Sequence, residues 1–125
     1  MAVWRRGDLD RATRLQQESL RLRQTAYDPV GTALNVEALA WIAASAREYG
    51  RAAVLLGAAA GLWRSAGATP ASFQPLAEPH RDCERQARQA LGEEAFQAAH
   101  DRGLELPAED AVNCALEQPA REATS

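Results

Sequence analysis

Residues 28–67 read DPVGTALNVEALAWIAASAREYGRAAVLLGAAAGLWRSAG, and this stretch decides the fold. Pro29 breaks any preceding helix and suits the first turn of a new one. The apolar residues that follow recur at helical spacing on two sides, which is typical of a helix packed between neighbours. The stretch therefore predicts two helices, over residues 29–49 and 51–66, which end at Gly50 and Gly67.

The composition agrees with an all-α domain. Alanine supplies 28 of the 125 residues, only 6% are aromatic, and all 14 basic residues are arginine. Abundant alanine with few β-branched residues favours helix over sheet. The length fits one domain, and a 46% hydrophobic share is too apolar for a disordered chain.

A helix is also predicted before residue 28, with Asp8 as its N-cap. Its inward face is predicted from five residues at helical spacing: Leu9, Ala12, Leu15, Ser19 and Leu22. Its outward face is predicted from the charged residues Arg11, Arg14, Glu18 and Arg21.

Residues 67–79 contain three prolines and predict a loop. Residues 80–117 predict a cap of three short helices, in which the carboxylate pairs Glu93–Glu94 and Glu109–Asp110 occupy first turns rather than an acid–base site. Residues 118–125 lack apolar periodicity and predict a disordered tail.

An internal repeat gives residues 1–66 a more specific interpretation. The pattern Arg11-Ala12-Thr-Arg-Leu15 recurs as Arg51-Ala52-Ala-Val-Leu55, at an offset of 40 residues. Helix pairs that repeat at about 34–47 residues are typical of tetratricopeptide-like arrays. We therefore expect antiparallel helical hairpins of tetratricopeptide-repeat type, closed by the short helical cap.

Several runs also resemble a known family. EALAWIAA at 37–44 and GRAAVLLGAA at 50–59, followed by ALGEEAF at 90–96 and GLEL at 103–106, resemble the tetratricopeptide-like C-terminal region of actinobacterial ATPase-type LuxR-family transcriptional regulators. The resemblance implies a helical interaction region that accompanies an ATPase module and a helix-turn-helix domain. A phosphate-binding loop is excluded within these 125 residues because they include no lysine.

Charge and hydropathy argue against some classes of binding partner. Residues 1–24 hold six arginines and three acids, whereas residues 79–125 hold five arginines and ten acids. The acidic C-terminal third argues against direct nucleic-acid binding. The longest apolar stretch, residues 52–63, is shorter than the roughly 20 residues that a membrane span needs. Two cysteines without a visible secretion signal predict reduced thiols in the cytoplasm.

The predicted function is non-enzymatic protein–protein interaction or self-association, with a partner segment lying in a groove between helices. The predicted contact residues are Trp4, Arg14, Arg21 and Glu37. No cofactor or metal is expected.

The alternative is a small-ligand or metal-binding domain that uses His80, Cys83, His100 and Cys114. Zinc needs such groups to converge tetrahedrally, and their spacing matches no common zinc motif. Both cysteines lie on apolar stripes, where free cysteine behaves as a small hydrophobic residue.

Overall fold

The computed structural model describes residues 6–25, 28–68 and 74–117. Six helices make up almost all of this part: α1 (Arg6–Thr25), α2 (Pro29–Ser45), α3 (Tyr49–Ala66), α4 (Gln74–Leu91), α5 (Glu93–Leu104) and α6 (Ala108–Leu116). The described residues contain no strand, which confirms the all-α prediction. In these ranges no helix is both long and apolar enough to cross a membrane. The predicted tail, residues 118–125, lies outside the described residues.

Three predicted helix boundaries are confirmed. The Asp28 carboxylate accepts a 2.9 Å hydrogen bond from the backbone N–H of Gly31, and Pro29 lies in the first turn of α2. Gly67, at φ 75°, ends α3 in the left-handed conformation. Gly92, at φ 88°, separates α4 from α5. Asp, Pro and Gly therefore act as their local chemistry predicts.

The predicted end of α2 at Gly50 is wrong. The helix ends at Ser45, and Gly50 lies in the first turn of α3. Arg47 turns the chain at φ 63°, a left-handed conformation that glycine more often supplies. The turn closes because the Glu48 N–H donates to the Ala43 carbonyl at 2.8 Å. Arg47 thus performs the role that the sequence assigned to Gly50.

The predicted loop over residues 67–79 is also too long, because α4 starts at Gln74 and includes Pro79. A proline inside a helix removes one backbone hydrogen bond. Packing opposes that loss, since Cys83 is buried and Leu76 packs against the core from the same helix. The prolines therefore correctly predicted a break between α3 and α4, but the loop predicted from them was too long.

Acidic residues occupy the first turns of three helices. Glu93 and Glu94 open α5, and Glu109 and Asp110 open α6, as predicted. Helix α1 begins before Asp8, so Asp8 also lies in a first turn and is not the predicted N-cap. In all three places the carboxylates lie near the positive end of a helix dipole.

The buried face of α1 differs from the prediction. Leu9, Gln17 and Leu20 are buried, whereas Leu15 is 57% exposed and Leu22 is 69% exposed. At about 100° per residue, Leu15 lies about 120° around the helix from Leu9. The two leucines therefore fall on the charged side of α1 and not on its inward side.

One hydrophobic core joins all six helices. Its buried residues come from both predicted sub-parts, residues 1–66 and 80–117. Helix α3 lies at its centre and contacts α2, α4, α5 and α6. Against α5 the contact is very close, because a Cβ on Gly57 would collide with the His100 carbonyl and one on Gly103 with the Val54 carbonyl.

The last helix packs back onto the first three. Helix α6 contacts α1, α2 and α3. At its end, the amide Nε2 of Gln17 donates to the Ala115 carbonyl at 3.1 Å, and Nη2 of Arg51 donates to the Glu117 carbonyl at 3.0 Å. These donors satisfy carbonyls that a helix end leaves unpaired. The predicted cap is thus part of the same packed body as the first three helices.

Candidate functional site

One side of α1 presents an unusual combination of exposed side chains. We call it the α1 outer face, and it consists of six exposed residues: Arg11, Arg14, Leu15, Glu18, Arg21 and Leu22. Leu15 and Leu22 are the exposed large hydrophobic residues within the described ranges. A shallow groove of about 390 Å³ runs beside this face. Apolar side chains framed by arginine are typical of protein interfaces.

The predicted contact residues have different locations. Arg14 and Arg21 are exposed on the α1 outer face, where a partner can reach them. Trp4 lies outside the described residues. Glu37 is 0% exposed, so in this structure it is not a surface contact residue, contrary to the prediction. Its side chain belongs instead to an internal network.

The Glu37 carboxylate is the centre of that network. Its Oε2 accepts a hydrogen bond from Trp41 Nε1 at 2.7 Å, and its Oε1 accepts one from Trp63 Nε1 at 3.3 Å. His80 Nδ1 lies 2.6 Å from Oε2. Because a carboxylate only accepts hydrogen bonds, Nδ1 carries the proton of this pair. Side chains from α2, α3 and α4 thus converge on one buried acid.

Burial and hydrogen bonding shift the titration of groups around Glu37. The hydrogen bond to Glu37 raises the pKa of His80 above its ordinary value, although burial opposes the shift. Burial, with the nearby charges of Glu37 and Glu84, raises the pKa of Cys83 to about 12. Cys83 remains a thiol at neutral pH, and its Sγ donates to the Ala40 carbonyl at 3.6 Å. A protonated buried thiol is a poor nucleophile and a poor metal ligand.

The four residues of the alternative prediction are dispersed over three helices. His80 and Cys83 lie on α4, His100 on α5 and Cys114 on α6. Across residues 6–25, 28–68 and 74–117, no three His, Cys, Asp or Glu side chains are grouped so that they could hold a metal ion. The geometry therefore adds no support for a metal site.

A separate cleft of about 450 Å³ is lined by residues of α1, α2, α3 and α6. Its lining includes Arg23, Asp28, Thr32, Leu62 and Val112, and none of the four His and Cys residues. Arg23 and Asp28 form an ion pair there. The cleft therefore does not bring together the residues that the alternative prediction names.

Trp41, Trp63 and Cys83 all pack in the core, and for Cys83 this confirms the prediction. Trp63 is 1% exposed, Cys83 is buried, and Trp41 packs against the core while partly exposed. Sequence reasoning missed that both indoles meet Glu37. One signal was available: Glu37 is a lone acid between two apolar stripes of α2, where an unpaired charge would be costly.

Comparison of the chain with protein-family models, curated proteins and solved structures found no match. The buried Glu37 network holds helices together, and its acid is closed to a partner. The α1 outer face is open, so it is the candidate functional surface.

Proposed function

We propose that this chain is a non-enzymatic protein-interaction module that binds through the α1 outer face. The observation that carries the proposal is the exposure of Leu15, at 57%, and Leu22, at 69%, on one side of one helix. Single exposed leucines are common on protein surfaces. Two of them seven residues apart and beside arginines form a seam that a helix or an extended segment can cover.

The energetic gain from covering this seam is substantial. Burying a leucine side chain completely is worth about 1.5–3 kcal/mol. Since Leu15 and Leu22 each retain more than half of their exposure, covering both contributes about 2–4 kcal/mol in total. This free energy supports a specific contact when the arginines beside the leucines also donate hydrogen bonds to acceptors on the partner.

We further propose that the helices are tetratricopeptide-type hairpins from the interaction region of a cytoplasmic LuxR-type transcriptional regulator. Sequential contacts of α1 with α2 and of α2 with α3 support the hairpins, as does the repeat that relates Ala12 to Ala52. In such arrays each unit buries its apolar face against a neighbour. The α1 outer face is then the side on which a further protein element would pack.

The test asks which proteins of a cell extract bind to the wild-type chain and which bind to a Leu15→Ser/Leu22→Ser variant. Proteins retained by wild type and lost by the variant are then purified and studied with the chain by sedimentation velocity, together with the chain alone. We expect a defined complex or self-association that the variant lacks.

A matched control replaces two exposed alanines, Ala90→Ser/Ala98→Ser, and should behave as wild type. The proposed function would be refuted if wild type and the leucine variant retained the same proteins and the chain alone were monomeric in both forms.

A further inference from the structure

We propose that the α1 outer face takes an acidic amphipathic helix from a partner protein. This inference rests on the proposed function and specifies its partner. The face carries three exposed arginines and one exposed acid, Glu18, around its two leucines. A partner that buries the leucines must place its own flanking residues against these arginines, so carboxylates are favoured there and ammonium groups are opposed.

The side chains form rows that fit a helix. Leu15 and Leu22 lie seven residues apart, and so do Arg14 and Arg21. Seven residues rise about 10.5 Å, which is about two helical turns. A partner helix whose apolar residues recur every seven positions therefore matches the leucine row. A parallel row of glutamates or aspartates on that helix matches the arginine row.

A second copy of the chain is a poorer occupant. A symmetric pair places the same patch against itself. Arg14 and Arg21 of one copy would then face the arginines of the other, and like charges at an interface are costly. A head-to-tail pair would need to bring an acidic surface, such as that of α5 and α6, to the face. Within the described ranges those helices expose no large hydrophobic side chain to cover Leu15 and Leu22.

A nucleic acid would satisfy the arginines through its phosphates but would leave the leucines exposed to water. Two exposed leucines between the cations favour a partner with an apolar stripe. The net acidity of residues 79–125 also opposes a polyanion. A helix that is both acidic and apolar matches the three arginines and the two leucines of this face.

The experiment uses two synthetic peptides of about 20 residues, a length at which an isolated peptide can form a helix in water. Both carry leucines at seven-residue spacing; one has glutamates beside them and the other has lysines at the same positions. Fluorescence anisotropy measures binding of each labelled peptide to the wild type, to Leu15→Ser/Leu22→Ser and to Arg14→Glu/Arg21→Glu. A labelled mixed-sequence DNA duplex is measured in parallel, and circular dichroism verifies that each variant is folded.

We expect wild type to bind the glutamate peptide about tenfold more tightly than the lysine peptide, with the difference reduced by added salt. The arginine variant should reverse the preference, and the leucine variant should weaken both peptides. Equal affinities for the two peptides, an unchanged preference in the arginine variant, or tighter binding of DNA than of the glutamate peptide would each overturn the acidic-helix proposal.

The outcome also separates this inference from the proposed function. If sedimentation shows self-association that Leu15→Ser/Leu22→Ser abolishes, and the peptides show no charge preference, the acidic partner is wrong while the interaction role stands. If the leucine variant matches wild type in both experiments, both proposals fail.

Discussion

Glu37 has a larger role in the interior than any other single charged residue that the structure describes. Its buried carboxylate accepts hydrogen bonds from the indoles of Trp41 and Trp63 and pairs with His80. A buried charge is tolerable only when it is paired and hydrogen-bonded. The same contacts make the carboxylate costly to remove, because Trp41, Trp63 and His80 would lose the acceptor that they share.

We therefore expect Glu37→Ala to lower the free energy of unfolding by about 3–5 kcal/mol, the range for breaking a buried pair by removing one partner. Glu37→Gln should cost less, because its amide oxygen still accepts a hydrogen bond. Urea denaturation at neutral pH measures both. The exposed Glu78 provides the control, since Glu78→Ala should change stability by less than about 0.5 kcal/mol. Equal losses for Glu37→Ala and Glu78→Ala would contradict the network.

The pKa values of His80 and His100 should differ. The hydrogen bond to Glu37 raises the pKa of His80 above 6.5, whereas burial lowers the pKa of His100 below 6.5. NMR titration of the imidazole resonances resolves the two midpoints. Glu37→Gln should lower the pKa of His80 and leave that of His100 nearly unchanged. Coincident midpoints in the wild type would be inconsistent with the pairing.

The His80 shift also has a consequence for stability. Because its folded pKa lies above the unfolded value of 6.5, protonated His80 stabilises the fold fully below pH 6.5, and this contribution is lost as pH rises through the folded pKa. Nearby Glu84 adds to the shift and Arg81 opposes it. The stability difference between wild type and His80→Gln should therefore shrink as pH rises above 6.5.

At this scale the sequence did not show which residues meet Glu37. Trp63 lies 26 residues from Glu37 along the chain, and His80 lies 43 residues away. Local periodicity relates residues within one helix, so only the contact with Trp41, four residues on, was within its range. The other two depend on how α3 and α4 pack against α2, which no local pattern specifies.

Among the elements, the crossing of α3 and α5 is the most constrained. Gly57 and Gly103 let the two backbones approach until a Cβ on either residue would meet a carbonyl oxygen of the other helix. Backbone atoms cannot move aside as a flexible side chain can. The close approach therefore requires glycine at both positions.

Gly57→Ala should lower the free energy of unfolding by at least about 1–3 kcal/mol, the usual cost of overpacking. Gly50 in the same helix is the matched control, because a Cβ there meets nothing within 4 Å. Gly50→Ala should raise stability by up to about 0.5–1 kcal/mol through the higher helix propensity of alanine. Thermal denaturation compares the two, and shifts of the same sign would argue against the close crossing.

Element boundaries were predictable where one residue type has one dominant local role. Pro29, Gly67 and Gly92 mark breaks that the structure confirms. The end of α2 was not predictable, because Arg47 adopts the conformation expected of a glycine. The face of α1 was misassigned because steps of three residues drift around a helix, so that Leu15 lies about 120° from Leu9 although their spacing is helical. That error hid the exposed pair on the α1 outer face.

At the scale of the whole molecule, the prolines at 67–79 predicted two sub-parts, whereas one core contains buried residues from all six helices. Val112 of α6 is buried in that core although it lies far along the chain from the tryptophans of α2 and α3. A chain with one core unfolds as one cooperative unit. A substitution that destabilises α6 should therefore also shift the unfolding transition that the tryptophans report.

The prediction uses Trp4→Phe as background, so that tryptophan fluorescence reports only Trp41 and Trp63 in residues 1–66. Val112→Ala should lower the free energy of unfolding by about 2 kcal/mol, as expected for a large-to-small change in a core. The urea midpoint should shift equally by tryptophan fluorescence and by far-ultraviolet circular dichroism. The exposed Ala98→Ser on α5 should shift neither signal. If residues 80–117 folded independently, the fluorescence midpoint would stay at the wild-type value while circular dichroism showed an earlier, separate transition.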